Sequence, residues 1–65
     1  MIKVIPTDIY DDTGNLLRVE FHDFDGVFQL QAEWDANDAQ TSKNRESFRK
    51  WAYTMAKRLE FKTEL

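Results

Sequence analysis

One histidine, twelve carboxylates, two serines and no cysteine are the chain's stock of reactive side chains. His22 follows Glu20 by two residues, a spacing that on a strand sets a carboxylate beside an imidazole. General-base work needs a nucleophile within hydrogen-bond reach. Ser42 and Ser47 have no such base near them in sequence, so His22 reads as a surface histidine. Without cysteine there is no disulfide, thiolate zinc site or thiol nucleophile, and one histidine leaves a transition metal without a ligand set. Asp23-x-Asp25-Gly26 has the opening of a calcium loop, but Val27, Gln29 and Gln31 bring no further carboxylate. A second near-miss runs from Asp35 through Asn37 to Glu46, with Ala39 and Gln40 where a ligand and a glycine are needed. Asp11 and Asp12 read as turn residues, and Gly14 and Gly26 are too far apart for a phosphate loop. No catalytic residue, cofactor or metal is expected, and the chain does not read as an enzyme.

The elements that must hold these residues are limited by size. Sixty-five residues with 42% hydrophobic content and a net charge of −3 make one small domain, residues 1–65, with neither a membrane span nor a leader expected. A cytoplasmic protein fits that reading. Charge is segregated. Residues 1–42 carry nine acids against Lys3 and Arg18, a net −7, whereas residues 43–65 carry seven bases against three acids, a net +4.

The acidic part reads as a β-meander with strands over about 2–10, 16–24 and 27–34. Leu17 to His22 and Phe28 to Trp34 alternate apolar and polar side chains, the period of a half-buried strand. A two-residue turn at Asp25-Gly26 sets Phe24 opposite Val27, His22 opposite Gln29, Glu20 opposite Gln31 and Arg18 opposite Glu33. On the other face Phe21 meets Leu30, Val19 meets Ala32 and Leu17 meets Trp34. Asp11-Asp12-Thr13-Gly14 reads as a type I turn closed by a glycine bulge. It would set Asp11 opposite Asn15, Ile9 opposite Leu17, Asp8 opposite Arg18 and Ile5 opposite Phe21. Pro6 then belongs on an edge strand.

The basic part predicts a helix over about 42–60, capped by Thr41 or Ser42, with Phe48, Trp51, Ala52, Met55, Ala56 and Leu59 on one stripe. Glu46 supports Lys50 four residues on, and Phe61 points off the stripe, so the tail turns. The expected fold is α+β, a three-stranded antiparallel meander packed on one C-terminal helix. Its expected core adds Ile5, Ile9, Leu17, Val19, Phe21, Phe28, Leu30, Ala32 and Trp34 to the helix stripe.

In element order this layout resembles the small DNA-binding domains of tyrosine integrases and of the plant AP2 family. The resemblance implies an outer sheet face laid into a major groove, where Arg and Lys are needed. The expected outer face instead carries Asp8, Glu20 and Glu33 with Arg18 alone against them, and neither family's sequence motif is present. A nucleic-acid contact would therefore fall to the basic helix, through Lys43, Arg49, Lys50, Lys57 and Arg58. A third reading makes the acidic half a mimic of nucleic acid. The leading reading is a non-enzymatic interaction module, of the size and acidity of a phage- or prophage-type accessory or inhibitor protein. It would bind another protein, or self-associate, through the outer sheet face or the edge of the first strand. The candidate contacts are Ile2, Val4, Phe24 and Val27, expected to cluster exposed at one end of that face unless Phe61 or Leu65 folds over them, with Asp8, Glu20 and Glu33 as the acids beside them.

Overall fold

The computed structural model describes residues 1–64. Its elements are β1 (Ile2–Tyr10), β2 (Leu16–His22), β3 (Phe28–Glu33), α1 (Ser42–Arg58) and β4 (Phe61–Thr63). The class is α+β, with the meander of β1 to β3 packed on the helix. A fourth strand, not foreseen from the sequence, runs parallel to β1 and gives the sheet order β3-β2-β1-β4.

The two hairpin turns share one design. Asp11 Oδ1 accepts the N–H groups of Thr13 and Asn15 at 2.9 and 3.0 Å, and Gly14 N–H donates to the Asp11 carbonyl at 3.1 Å. Asp23 repeats this with Asp25 and Val27, both at 2.9 Å, and with Gly26 at 3.0 Å. Gly14 and Gly26 close the turns at φ of 86° and 82°, a region other L residues enter at a cost. The second turn is therefore a copy of the first rather than the two-residue Asp25-Gly26 turn expected. The aspartate at its head ties down the amides two and four residues on.

Two β-bulges then decide which side chains face the helix. Tyr10 opposes Leu16 as expected, but Ile9 opposes Arg18 and Asp8 opposes Val19, which leaves Leu17 without a partner on β1. One extra residue moves the rest of β1 to the other face. Val4, Pro6 and Asp8 turn toward the helix, while Ile5, Thr7 and Ile9 turn away. Along β2 and β3 the pairs Arg18–Glu33, Val19–Ala32, Glu20–Gln31 and Phe21–Leu30 are those the alternation predicts. Beyond them His22 opposes Phe28 instead of Gln29, because a bulge at Gln29 absorbs the odd residue of the three-residue turn.

The core is correspondingly different from the expected one. Val4, Leu16, Val19, Phe21, Ala32, Ala52 and Ala56 are buried, with Leu30, Phe48, Tyr53 and Phe61 packed against them in part. Val4 replaces Ile5, and Leu16 replaces Leu17, which is left exposed. Phe28, carried outward by the bulge, is also exposed. Ile9, Trp34 and Met55 are only half-buried. The helix meets the sheet through the small side chains of Ala52 and Ala56, so the covered stripe is narrow. Trp51 and Leu59 lie outside it and are more than half exposed. Trp34 caps one end of the stripe, its ring edge-on to Phe48 at 5.2 Å and its amide donating to the Leu17 carbonyl at 2.9 Å.

Thr41 caps the helix through its hydroxyl, which accepts the Asn44 N–H at 3.1 Å. The helix closes at Leu59, and Glu60 adopts a left-handed φ of 68° while its N–H donates to the Lys57 carbonyl at 3.0 Å. That reversal ends the helix before residue 60 and sends Phe61 into β4, where it pairs with Ile2. Phe61 thus lies against the core rather than over the outer face, and Leu65 lies outside the described residues.

Two stability predictions follow from these positions. Glu60→Gly relieves a left-handed conformation that costs an L residue about 1 kcal/mol, so chemical denaturation should show a gain of that order. Trp34→Ala should lose about 3 kcal/mol, most of what so small a domain has, whereas Trp51→Ala should stay within about 1 kcal/mol of the parent.

Candidate functional site

The outer face carries apolar side chains, but not the four expected to cluster there. The row Ile5–His22–Phe28 crosses β1, β2 and β3, and Phe24 and Val27 are exposed in the turn that joins β2 to β3. Ile5 is 43% exposed, Phe28 48%, Phe24 64% and Val27 56%. Two expected members are absent. Val4 is fully buried against the helix, and Ile2, though exposed, shares Val4's face and pairs with Phe61.

His22 sits at the centre of the row with its ring edge-on to Phe28, centroids 5.8 Å apart. Its Nε2 lies 2.9 Å from Glu20 Oε1 and its Nδ1 3.3 Å from the Gly26 carbonyl. Both neighbours are acceptors, so only the doubly protonated ring satisfies both. The Glu20 carboxylate, then the Gly26 carbonyl, raise the His22 pKa above its ordinary 6.5. Arg18, whose Nε is 2.6 Å from Glu20 Oε2, and then His22 lower the Glu20 pKa below its ordinary 4.5. Glu20 is therefore a neutralised member of an Arg18–Glu20–His22 chain along β2. Asp11, its pKa lowered first by the Thr13 hydroxyl, serves the turn.

Asp8 is not on the outer face. The Leu17 bulge turns it to the helix side, where Arg49 Nη2 and Nε donate to its Oδ2 at 2.8 and 3.0 Å. Arg49 Nη2 also donates to the Tyr10 hydroxyl at 3.2 Å, and Asp8 keeps the guanidinium protonated, raising its pKa. The outer face consequently mixes Glu20 and Glu33 with Arg18, Lys3 and Lys62, and has no uniform sign.

The basic helix presents less free charge than its sequence counts. Arg49 is held by Asp8, and Lys50 pairs with Glu46 at 3.2 Å. Lys43, Lys57 and Arg58 are exposed. The first-strand edge is covered by β4 at Ile2–Val4, and the sheet's outer strands are β3 and the three-residue β4. Among the described residues no group of three or more His, Asp or Glu could hold a metal ion. Of the Asp35–Glu46 near-miss, Asp35 accepts the Asn37 N–H within a turn and Glu46 is the partner of Lys50. No helix among the described residues is long and apolar enough to cross a membrane.

One positioning residue escaped the sequence reading. The Gln40 carboxamide pairs with the Leu16 backbone like a strand residue, Oε1 accepting the Leu16 N–H and Nε2 donating to the Leu16 carbonyl, both at 2.9 Å. Arg45 Nε donates to the same Oε1 at 3.1 Å. This clasp holds residues 34–41 against the start of β2 and fixes where the helix begins. A lone glutamine in a polar loop carries no pattern that would reveal it.

Comparison with known proteins finds no family model, no characterised protein and no solved structure that matches this chain.

The His22 geometry makes a pH prediction. A raised folded-state pKa means that the protonated ring adds stability which is complete below 6.5 and is lost as pH rises through the folded value. Glu20 contributes above 4.5 and is lost as pH falls through its lowered value. An NMR titration of the imidazole should give a midpoint above 6.5 that falls back in Glu20→Gln. The melting temperature of the parent should drop more between about pH 6 and 8 than that of His22→Gln.

Proposed function

We propose that this chain is a small cytoplasmic binding protein without catalytic activity, which acts by occupying a surface of another protein. The observation that carries the reading is the exposed pair Ile5 and Phe28 on an outer sheet face that no element among the described residues covers, with Phe24 and Val27 exposed in the adjoining turn. Large exposed apolar side chains at one end of a sheet, with polar groups around them, have the composition of an interface centre. The strands hold Ile5 and Phe28 in place, so binding costs little further ordering. His22 and the neutralised Glu20 add a polar pair that a partner can meet without leaving an isolated charge buried. An accessory or inhibitor protein of phage type would act this way, by blocking a partner's working surface.

Nucleic acid is the weaker alternative. Two of the five basic helix residues are engaged within the fold, and the outer sheet face carries both signs of charge. Phosphate contacts dominate such affinity, so no appreciable binding to duplex DNA is expected at about 150 mM salt. Sequence-specific binding under those conditions would overturn the proposal.

The test is capture from an extract of the native host by the parent and by the double variant Phe24→Asp/Phe28→Asp, with both proteins checked by circular dichroism and sedimentation. The variant should keep its fold and its melting temperature to within a few degrees, because neither side chain packs in the core, while the captured partner or the self-association is lost. A partner retained equally by both proteins would place the contact elsewhere.

A further inference from the structure

At the other end of the sheet from this row, the loop after β3 and the first turns of α1 enclose a cleft of about 360 Å³. Its apolar wall is Phe48 and Trp51, and its rim carries Asp35 and Asp38, with Glu33, whose carboxylate accepts the Gln31 carboxamide, at the edge of the sheet beside them. Trp51 is 51% exposed although it occupies a position that helical spacing assigns to the core. Its ring stands 6.0 Å from Phe48, and Phe48 in turn packs edge-on to Trp34, so the indole is held by its neighbours while one side stays open. No lysine or arginine among the described residues lies within ion-pair distance of the three carboxylates. Asp35 and Asp38 are further fixed by their own loop. Asp35 holds the Asn37 and Asp38 amides, and the Trp34 indole N–H reaches the Asp38 carbonyl at 3.3 Å.

We infer that this cleft receives an arginine side chain from a basic segment of a partner protein. The occupant follows from complementarity of charge and shape. An open indole face attracts a cation, and a planar guanidinium both stacks on it and donates in parallel to carboxylates. An anionic ligand or a nucleic-acid backbone would meet the like charges of Asp35 and Asp38, and a purely apolar side chain would leave those carboxylates desolvated without a partner. The site lies on a different surface from the Ile5–Phe28 row and stands or falls independently of it.

The probes are acetyl-Gly-Arg-Gly-amide and its neutral citrulline counterpart, with the lysine peptide as a third arm, titrated into the isotopically labelled full chain at about 150 mM salt, where distant charge effects are screened. The arginine peptide should shift the Trp51 indole signal and the amides of residues 35–38 and 47–51 saturably. Citrulline should bind about ten-fold more weakly or not at all, and lysine should fall between them. Trp51→Ala, at a half-exposed position outside the buried stripe, should weaken arginine binding several-fold, and Asp35→Asn/Asp38→Asn should do the same while keeping the turn amides satisfied. Equal shifts from citrulline, shifts shared with Asp11, Asp12, Asp23 and Asp25, or undiminished binding by Trp51→Ala would each overturn the assignment.

Discussion

The helix has room for only one narrow contact with the sheet, and the residue that decides what fills it is Leu17. Ala52 and Ala56 bring α1 close to the strands, so the facing row must supply the bulk, and Val4, Val19 and Phe21 do so. They align on one side only because the bulge at Leu17 steps β1 past β2 by one residue. The same step carries Asp8 under the helix, where it meets Arg49, and carries Ile5 and Ile9 outward. Core, helix–sheet ion pair and exposed outer-face residues are thus consequences of one backbone irregularity. A polar residue at Leu16 would remove the apolar side chain that the bulge turns inward.

Strict alternation is a strong signal where the ladder is regular and no signal where it is not. Arg18 to Phe21 and Leu30 to Glu33 show a clean period of two, and their pairing and faces could be read directly, although Arg18 takes Glu20 on its own strand as ion partner rather than Glu33 opposite. At Leu16-Leu17 two adjacent apolar residues permit either side chain to be the inward one, and nothing local chooses between them. At Phe28-Gln29 the alternation fits either partner of His22, and the choice falls to the length of the turn. The Asp23 turn itself was legible in principle, because Asp23-Phe24-Asp25-Gly26 repeats the spacing of Asp11-Asp12-Thr13-Gly14, which reads as a type I turn. Strand β4 was not legible. Three residues carry no period, and the positive φ that directs them falls on Glu60, where glycine would have announced it.

The candidate sites divide along the same line. Phe24 and Val27 were readable because a hairpin tip is exposed whatever its register. Ile5 and Phe28 were not, because their faces depend on the two bulges. The acidic first half of the sequence also changes meaning once folded. Asp8 and Glu20 are consumed by Arg49 and by Arg18 with His22, and Asp11 and Asp23 are consumed by turns. Of the other five, Asp12 and Asp25 are exposed in the hairpin turns, Glu33 accepts the Gln31 carboxamide, and Asp35 and Asp38 stand at the cleft beside Trp51. A count of charges along the chain overstates the field and conceals its position.

An exposed tryptophan and four exposed apolar side chains are unusual allocations in a chain this short. A domain of about this size has only a few kcal/mol of stability, and every large apolar residue kept out of the core forgoes roughly 1.5–3 kcal/mol of burial. Helical spacing alone would have let Trp51 join the stripe, and the alternation would have let Ile5 and Phe28 join the inner face. The fold instead fills its centre with Phe21 and with alanine and valine, and sets Trp51, Ile5 and Phe28 outside it. Small residues at the centre permit the close helix approach that keeps so thin a core dry. The larger side chains at the ends are held by strands, by ring contacts and by the Gln40 clasp rather than by burial. Rigid presentation at low cost to stability is what a binding surface on a minimal scaffold requires, and under the proposed binding role the energetic return for those exposed side chains would come in a complex rather than in the free protein.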